Sequence, residues 1–103
     1  MEVKSYHDET ECLTVAKMVN EFIAANDIGS DGGNAMYSTE KWKERGEDYG
    51  NMAVLVITHD GGCHADMFTN PYAPEYEKLV EYLGEYGYYP EQCTGWYSAI
   101  YRA

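Results

Sequence analysis

Residues 52 to 69 read MAVLVITHDGGCHADMFT, and the fold turns on how that stretch divides. Its first half, MAVLVITHD (52–60), is an unbroken run of apolar and β-branched residues. That is the pattern of a strand covered on both faces, so it is expected to be the central strand of a sheet. Asp60-Gly61-Gly62-Cys63 then offers glycines for a tight primed turn, and HADMFT is expected to return as an antiparallel partner, closing a hairpin.

Working toward the C-terminus, Pro71 and Pro74 close the second strand of that hairpin, and Pro74 suits the first position of a helix. The helix is expected to run to about Gly84 or Gly87. It would bury Tyr76, Leu79, Val80 and Leu83, which recur at the i, i+3, i+4, i+7 spacing of one helical face. The final GWYSAIYRA alternates Trp96, Ser98 and Ile100 against Tyr97, Ala99 and Tyr101, the period of a strand.

Toward the N-terminus, residues 8 to 26 form a helical pattern. Asp8 is a candidate cap, Glu11 stands three residues on as in a capping box, and Cys12, Val15, Ala16, Val19, Phe22 and Ile23 make one apolar stripe. Gly29 is placed to end that helix, and GSDGGN (29–34) reads as a surface loop. In AMYSTEKWKER (35–45), alternation of Met36, Ser38, Glu40 and Trp42 favours an edge strand, while Ser38 or Thr39 could instead cap a short helical turn. As a strand it would put Lys41, Lys43 and Arg45 on one face. The resulting order is α-β-β-β-α-β. This is an α+β fold: an antiparallel sheet of three or four strands with two helices packed on one face. With 103 residues there is room for one domain, 1–103.

Charge narrows the function. The chain carries 18 Asp and Glu against 7 Lys and Arg, a formal net charge of −11. Phosphate contacts need clustered cations, so direct binding of nucleic acid or an anionic membrane is not expected, and a basic partner is the natural complement. No apolar run is long enough to span a bilayer, and the N-terminal MEVKSYHDETE is polar where a secretory signal is apolar. Cys12, Cys63 and Cys93 are odd in number and widely spaced, which fits thiols in a reducing compartment. A cytoplasmic location is expected.

In PEYEKLVEYLGEYGYYPE (74–91), Glu77, Glu81 and Glu85 fall every fourth residue, with Glu75 and Glu91 nearby. Like charges at that spacing oppose helix formation by roughly 0.2–0.5 kcal/mol per pair. Such a row invites a functional reading, because its charges repeat at a few ångströms as phosphates do along a nucleic-acid strand. The bland reading is a solvated helix face. Tyrosine is abundant, with 11 in the chain. Its ring and hydroxyl suit protein interfaces, and Tyr82, Tyr86, Tyr88 and Tyr89 are the expected surface members, against core roles for Tyr76, Tyr97 and Tyr101.

Two further clusters carry less. His59, Asp60, Cys63 and His64 gather at the expected hairpin tip, where His59 and His64 would face one another. No second ligand pair completes a tetrahedral site, so no metal or other cofactor is expected. Cys63 and His64 are neighbours in sequence and would point to opposite faces of a strand, which does not make an activated nucleophile. No carboxylate pair stands out as a catalytic acid and base, and GSDGGN lacks the Lys and Ser or Thr of a phosphate loop. No enzymatic activity is expected.

In size, acidity and tyrosine content the chain resembles the small phage-encoded inhibitors of host defence, the anti-CRISPR and anti-restriction proteins. The resemblance implies a non-enzymatic inhibitor that imitates the charge of DNA and occupies the nucleic-acid channel of a CRISPR effector or restriction enzyme, in the host cytoplasm. On that reading Glu75, Glu77, Glu81, Glu85 and Glu91 meet Lys and Arg of the partner while Tyr82, Tyr86 and Tyr89 pack against it. The alternative is an adaptor or self-associating module whose acidity serves solubility, with the C-terminal strand 96–101 as an exposed edge that pairs across a homodimer axis.

Overall fold

The computed structural model describes residues 3–4, 10–26, 28, 35–47, 49–50, 52–59 and 62–103, the backbone alone for Val3, Lys4, Thr10 and 62–64. In chain order the elements are β1 (Val3–Lys4), α1 (Thr10–Ala25), β2 (Met36–Tyr37), α2 (Thr39–Lys43), β3 (Leu55–Thr58), α3 (Gly62–Thr69), α4 (Pro74–Glu85), β4 (Tyr88–Gln92) and β5 (Tyr97–Arg102). The sheet runs β1-β2-β3-β5-β4; β2, β3, β5 and β4 are antiparallel neighbours, and β1 joins β2 in parallel. The fold is α+β. The expected cap at Asp8, the end at Gly29, the loop 29–34 and the turn residues Asp60 and Gly61 lie outside the described residues.

Leu55–Thr58 is the central strand, and all four of its residues are buried. Alternation divides them. Leu55 and Ile57 join Met36 and Ile100 beneath α1, α3 and α4, where Val15, Val19, Phe22, Phe68, Leu79 and Leu83 complete the main core. Val56 points the other way, joining Tyr37, Trp42, Tyr97 and Ala99 in a second cluster. The two helices read from the sequence share one face, while α2 covers the opposite one with Trp42.

The expected hairpin does not form. Both sides of β3 are taken, by β2 and by β5, and HADMFT lies in α3. Its side chains show why: Met67 and Phe68 are adjacent in sequence and both enter the same core, while Asp66 is exposed. A strand would send Met67 and Phe68 to opposite faces, whereas a helix turns by only about 100° between them. Thr69 Oγ1 donates to the Ala65 carbonyl one turn back at 2.7 Å.

Residues 35–45 form both of the structures weighed for them, in succession. Met36 and Tyr37 make a two-residue strand; Ser38 then caps α2 by accepting from the Lys41 amide at 3.2 Å. This takes Lys41, Lys43 and Arg45 off the shared strand face expected of them. The C-terminal segment is a hairpin, β4 and β5, rather than a single strand. Strand β5 lies between β3 and β4, so residues 96–101 are not an exposed edge and cannot pair across a dimer axis. The open edge at that side is β4. Val80, expected in the core, is exposed.

Candidate partner-binding surface

Helix α4 begins at Pro74, with Ala73 as a cap that supplies no side-chain bond. Leu79 and Leu83 are fully buried, which fixes the inward face. Each step of four residues advances about 40° around a helix, so Glu77, Glu81 and Glu85 fan across an arc centred opposite Leu79 and Leu83. All three are exposed, Glu75 is half-buried at the margin, and no described side chain forms a hydrogen bond or ion pair with any of them. The carboxylates therefore point as one row to the outside. Lys78 is the one cation on α4.

Where α4 ends, it leans on α1. Tyr82 is half-buried, with its ring centre 5.4 Å from that of Phe22 and 5.5 Å from that of Tyr86, which it meets edge-on. A cleft of about 340 Å³ opens here, lined by Glu21, Phe22, Ala25, Asn26, Tyr82 and Tyr86. The Tyr82 phenol is held above its ordinary value first by burial, then by Tyr86, Glu21 and Glu85. The fields of two carboxylates from different helices thus converge on one ring. Glu21 also meets Lys17 at 4.0 Å across an exposed turn of α1.

Tyr89 and Glu91 do not belong to this surface. Neighbouring residues on β4 point to opposite faces. Tyr88 faces the helices, donating its hydroxyl to Glu11 at 2.8 Å. Tyr89 therefore faces away from α4 and stacks on Tyr101, ring centres 5.6 Å apart; Glu91 follows it two residues on. The expected set divides in two: Glu75, Glu77, Glu81, Glu85, Tyr82 and Tyr86 on one side of the sheet, Tyr89 and Glu91 on the other. Among the expected surface tyrosines, Tyr82 and Tyr88 are half-buried, and Tyr86 and Tyr89 are exposed.

Three arrangements have no counterpart in the sequence reading. Glu11 takes two bonds from the Arg102 guanidinium as well as the Tyr88 hydroxyl. The pairing ties α1 to the last two strands; Arg102, then Tyr88, lower the Glu11 carboxyl below its ordinary value. On the second face, the Arg45 guanidinium lies over Tyr37, Trp42 and Trp96, with its carbon 5.3, 4.9 and 5.5 Å from their ring centres. It donates to the Tyr37 hydroxyl at 3.0 Å and meets Glu47 at 3.8 Å. Lys41 likewise meets Glu44 at 3.7 Å, so the basic cluster is largely matched by acids of its own segment.

His59 is the third. It is not at an exposed tip: it is fully buried, stacked on Phe68, with Nε2 2.8 Å from Ser98 Oγ. The side chains of Cys63 and His64 lie outside the described residues, and among those described no group of three His, Cys, Asp or Glu side chains could hold a metal ion. Burial, then Glu91, pushes the Cys93 thiol up to about 11, far from a thiolate at neutral pH. No helix among the described residues is long and apolar enough to cross a membrane. No protein-family model, curated relative or solved structure matches the chain.

Proposed function

We propose that the chain is a non-enzymatic binding protein that docks on a basic surface of a nucleic-acid-binding protein and competes there with nucleic acid. The observation that carries this is the outward row Glu77, Glu81 and Glu85, unpaired with any described side chain and continuous with the acidic, tyrosine-walled cleft at the end of α4. Three like charges along one helix cost folding energy, and a solvated face of mixed sign would serve solubility as well. A row of one sign acts on a partner: it raises the rate of encounter with a cationic surface and makes binding salt-dependent. Proteins with channels for DNA or RNA, such as a CRISPR effector or a restriction enzyme, present such surfaces.

The contact surface on this account is Glu75, Glu77, Glu81 and Glu85 with Tyr82 and Tyr86; Tyr89 and Glu91 lie on the far side of the sheet and are not part of it. The chain immobilised at low salt should retain basic nucleic-acid-binding proteins stripped of their nucleic acid, and release them at high salt. The triple substitution Glu77→Gln, Glu81→Gln, Glu85→Gln should retain far less. Equal retention by the parent and the triple variant contradicts the proposal.

A further inference from the structure

We infer that the cleft between α1 and α4 is an arginine receptor: a guanidinium of the partner stacks on the exposed Tyr86 ring at the mouth of the cleft and is held by Glu21 and Glu85. The inference rests on the proposed docking surface and deepens it, naming the group that would be recognised and where.

Four features favour a guanidinium. The lining combines three aromatic rings, Phe22, Tyr82 and Tyr86, with the polar side chains of Glu21 and Asn26. No cation is among the lining residues, and Lys17 touches Glu21 only at 4.0 Å from the outer side of α1. Glu85 stands outside the lining, but its charge acts on the Tyr82 phenol as that of Glu21 does, so a cation beside that phenol feels carboxylates of both helices. The faces of tyrosine rings attract cations within about 6 Å, and a planar guanidinium can stack on one face while its edge donates to carboxylates. The Asn26 amide nitrogen is already committed to the Phe22 carbonyl at 2.9 Å, which leaves its oxygen as an acceptor.

The same molecule holds an arginine in this way on its opposite face. Arg45 lies over Tyr37, Trp42 and Trp96, donates to the Tyr37 hydroxyl and meets Glu47. Aromatic faces, a phenol and a carboxylate suffice there; the cleft at α1 and α4 offers those parts, with the Glu85 carboxylate outside its lining. Its mouth is open at Tyr86, whose side chain is exposed. The row on α4 leads to it along the same helix. Long-range attraction by the row and short-range selection by the cleft would then be separable functions of one surface.

The test uses a nona-arginine peptide, with nona-lysine of equal charge for comparison. Saturating the intact chain with nona-arginine should shift the Tyr82 and Tyr86 ring resonances more than nona-lysine does. Tyr86→Ala and Glu21→Gln should each weaken nona-arginine binding roughly fivefold, the scale of a single cation–π or ion-pair contact, and narrow the preference over nona-lysine. Circular dichroism should stay that of the parent, since both side chains are exposed. The inference is overturned if the ring resonances stay in place at saturation, or if both variants bind within twofold of the parent. If those variants bind normally while the glutamine triple variant on α4 does not, the cleft is wrong and the docking row stands. If nona-arginine does not bind the parent at all, both fall together.

Discussion

The guanidinium carbon of Arg45 lies 4.9 Å from the centre of the Trp42 ring, closing a cluster in which Trp42 is fully buried and its indole nitrogen donates to the Tyr49 carbonyl at 2.8 Å. A single short helix brings this large residue against the sheet, so the second face depends on it. Trp42→Ala should lower stability by about 3–5 kcal/mol, the cost of emptying a large aromatic site. Arg45→Ala should cost about 0.5–2 kcal/mol through the lost cation–π contacts. Urea denaturation of the two variants checks both. Equal losses would mean that Arg45, rather than the indole, organises the cluster.

Gly50 shows how tightly that cluster is built. Its φ is 85°, and a Cβ added there would stand 3.2 Å from Val56 Cγ2 and 3.4 Å from Trp42 Nε1. Both the backbone and the space require glycine. Gly50→Ala should destabilise by about 1–3 kcal/mol, the cost of holding a side-chain-bearing residue in the left-handed region. A change at Gly46, where φ is 74° and nothing lies within 4 Å, should carry the backbone part alone. Thermal melts of the two alanine variants should therefore rank Gly50 as the more sensitive.

The open edge of the sheet is β4, and Pro90 occupies its middle. Ala103 donates to the Gly87 carbonyl and Cys93 to the Tyr97 carbonyl. Bonded pairs alternate along an antiparallel ladder, so the backbone groups of Tyr88, Pro90 and Gln92 face outward. The missing amide of Pro90 thus falls where a further strand would dock, a known way of blunting an edge. Pro90→Thr should restore that donor and promote self-association, read by light scattering over a concentration series, while the parent stays monomeric. A parent dimer would favour the self-associating module over the proposed docking function.

The clamp on Glu11 sets a pH dependence. Its carboxyl is lowered in the folded chain, mainly by Arg102 and Tyr88, so it binds its proton less readily folded than unfolded. Stability from this clamp is fully present above the unfolded value near 4.5 and is lost as pH falls through the folded one. Tyr88 behaves oppositely: raised above 10 chiefly by its bond to Glu11, it contributes below that value and loses its contribution as pH climbs through the folded one. Glu11→Gln should therefore be less stable than the parent at neutral pH, and the gap should close in acid below 4.5. A gap that persists there would assign the effect to packing of α1.

Much of this architecture is legible in the sequence, for physical reasons that differ by element. The run at 55–58 declares a strand covered on both sides, and the spacing of Val15, Val19 and Phe22, or of Leu79 and Leu83, declares helical faces. The segment HADMFT misleads because the two glycines just before it in the sequence suit a tight turn as well as they suit a helix start. Only the burial of Met67 and Phe68 in the same core, a tertiary fact, decides for the helix. The alternation at 96–101 is real, but alternation does not say which edge of a strand is paired. As for the surface, periodicity along α4 is enough to align the three glutamates. It gives no hint that Glu21 of α1 comes to the same cleft, or that Tyr89 and Glu91 face the other way.

The most direct test of the docking account is the salt dependence of binding to a purified basic nucleic-acid-binding protein, with the parent and the Glu77→Gln, Glu81→Gln, Glu85→Gln variant titrated side by side. If the α4 row is the contact, the parent's affinity falls steeply as salt rises, and the variant binds more weakly at low salt with a distinctly shallower slope. Parallel slopes and equal affinities would contradict the account.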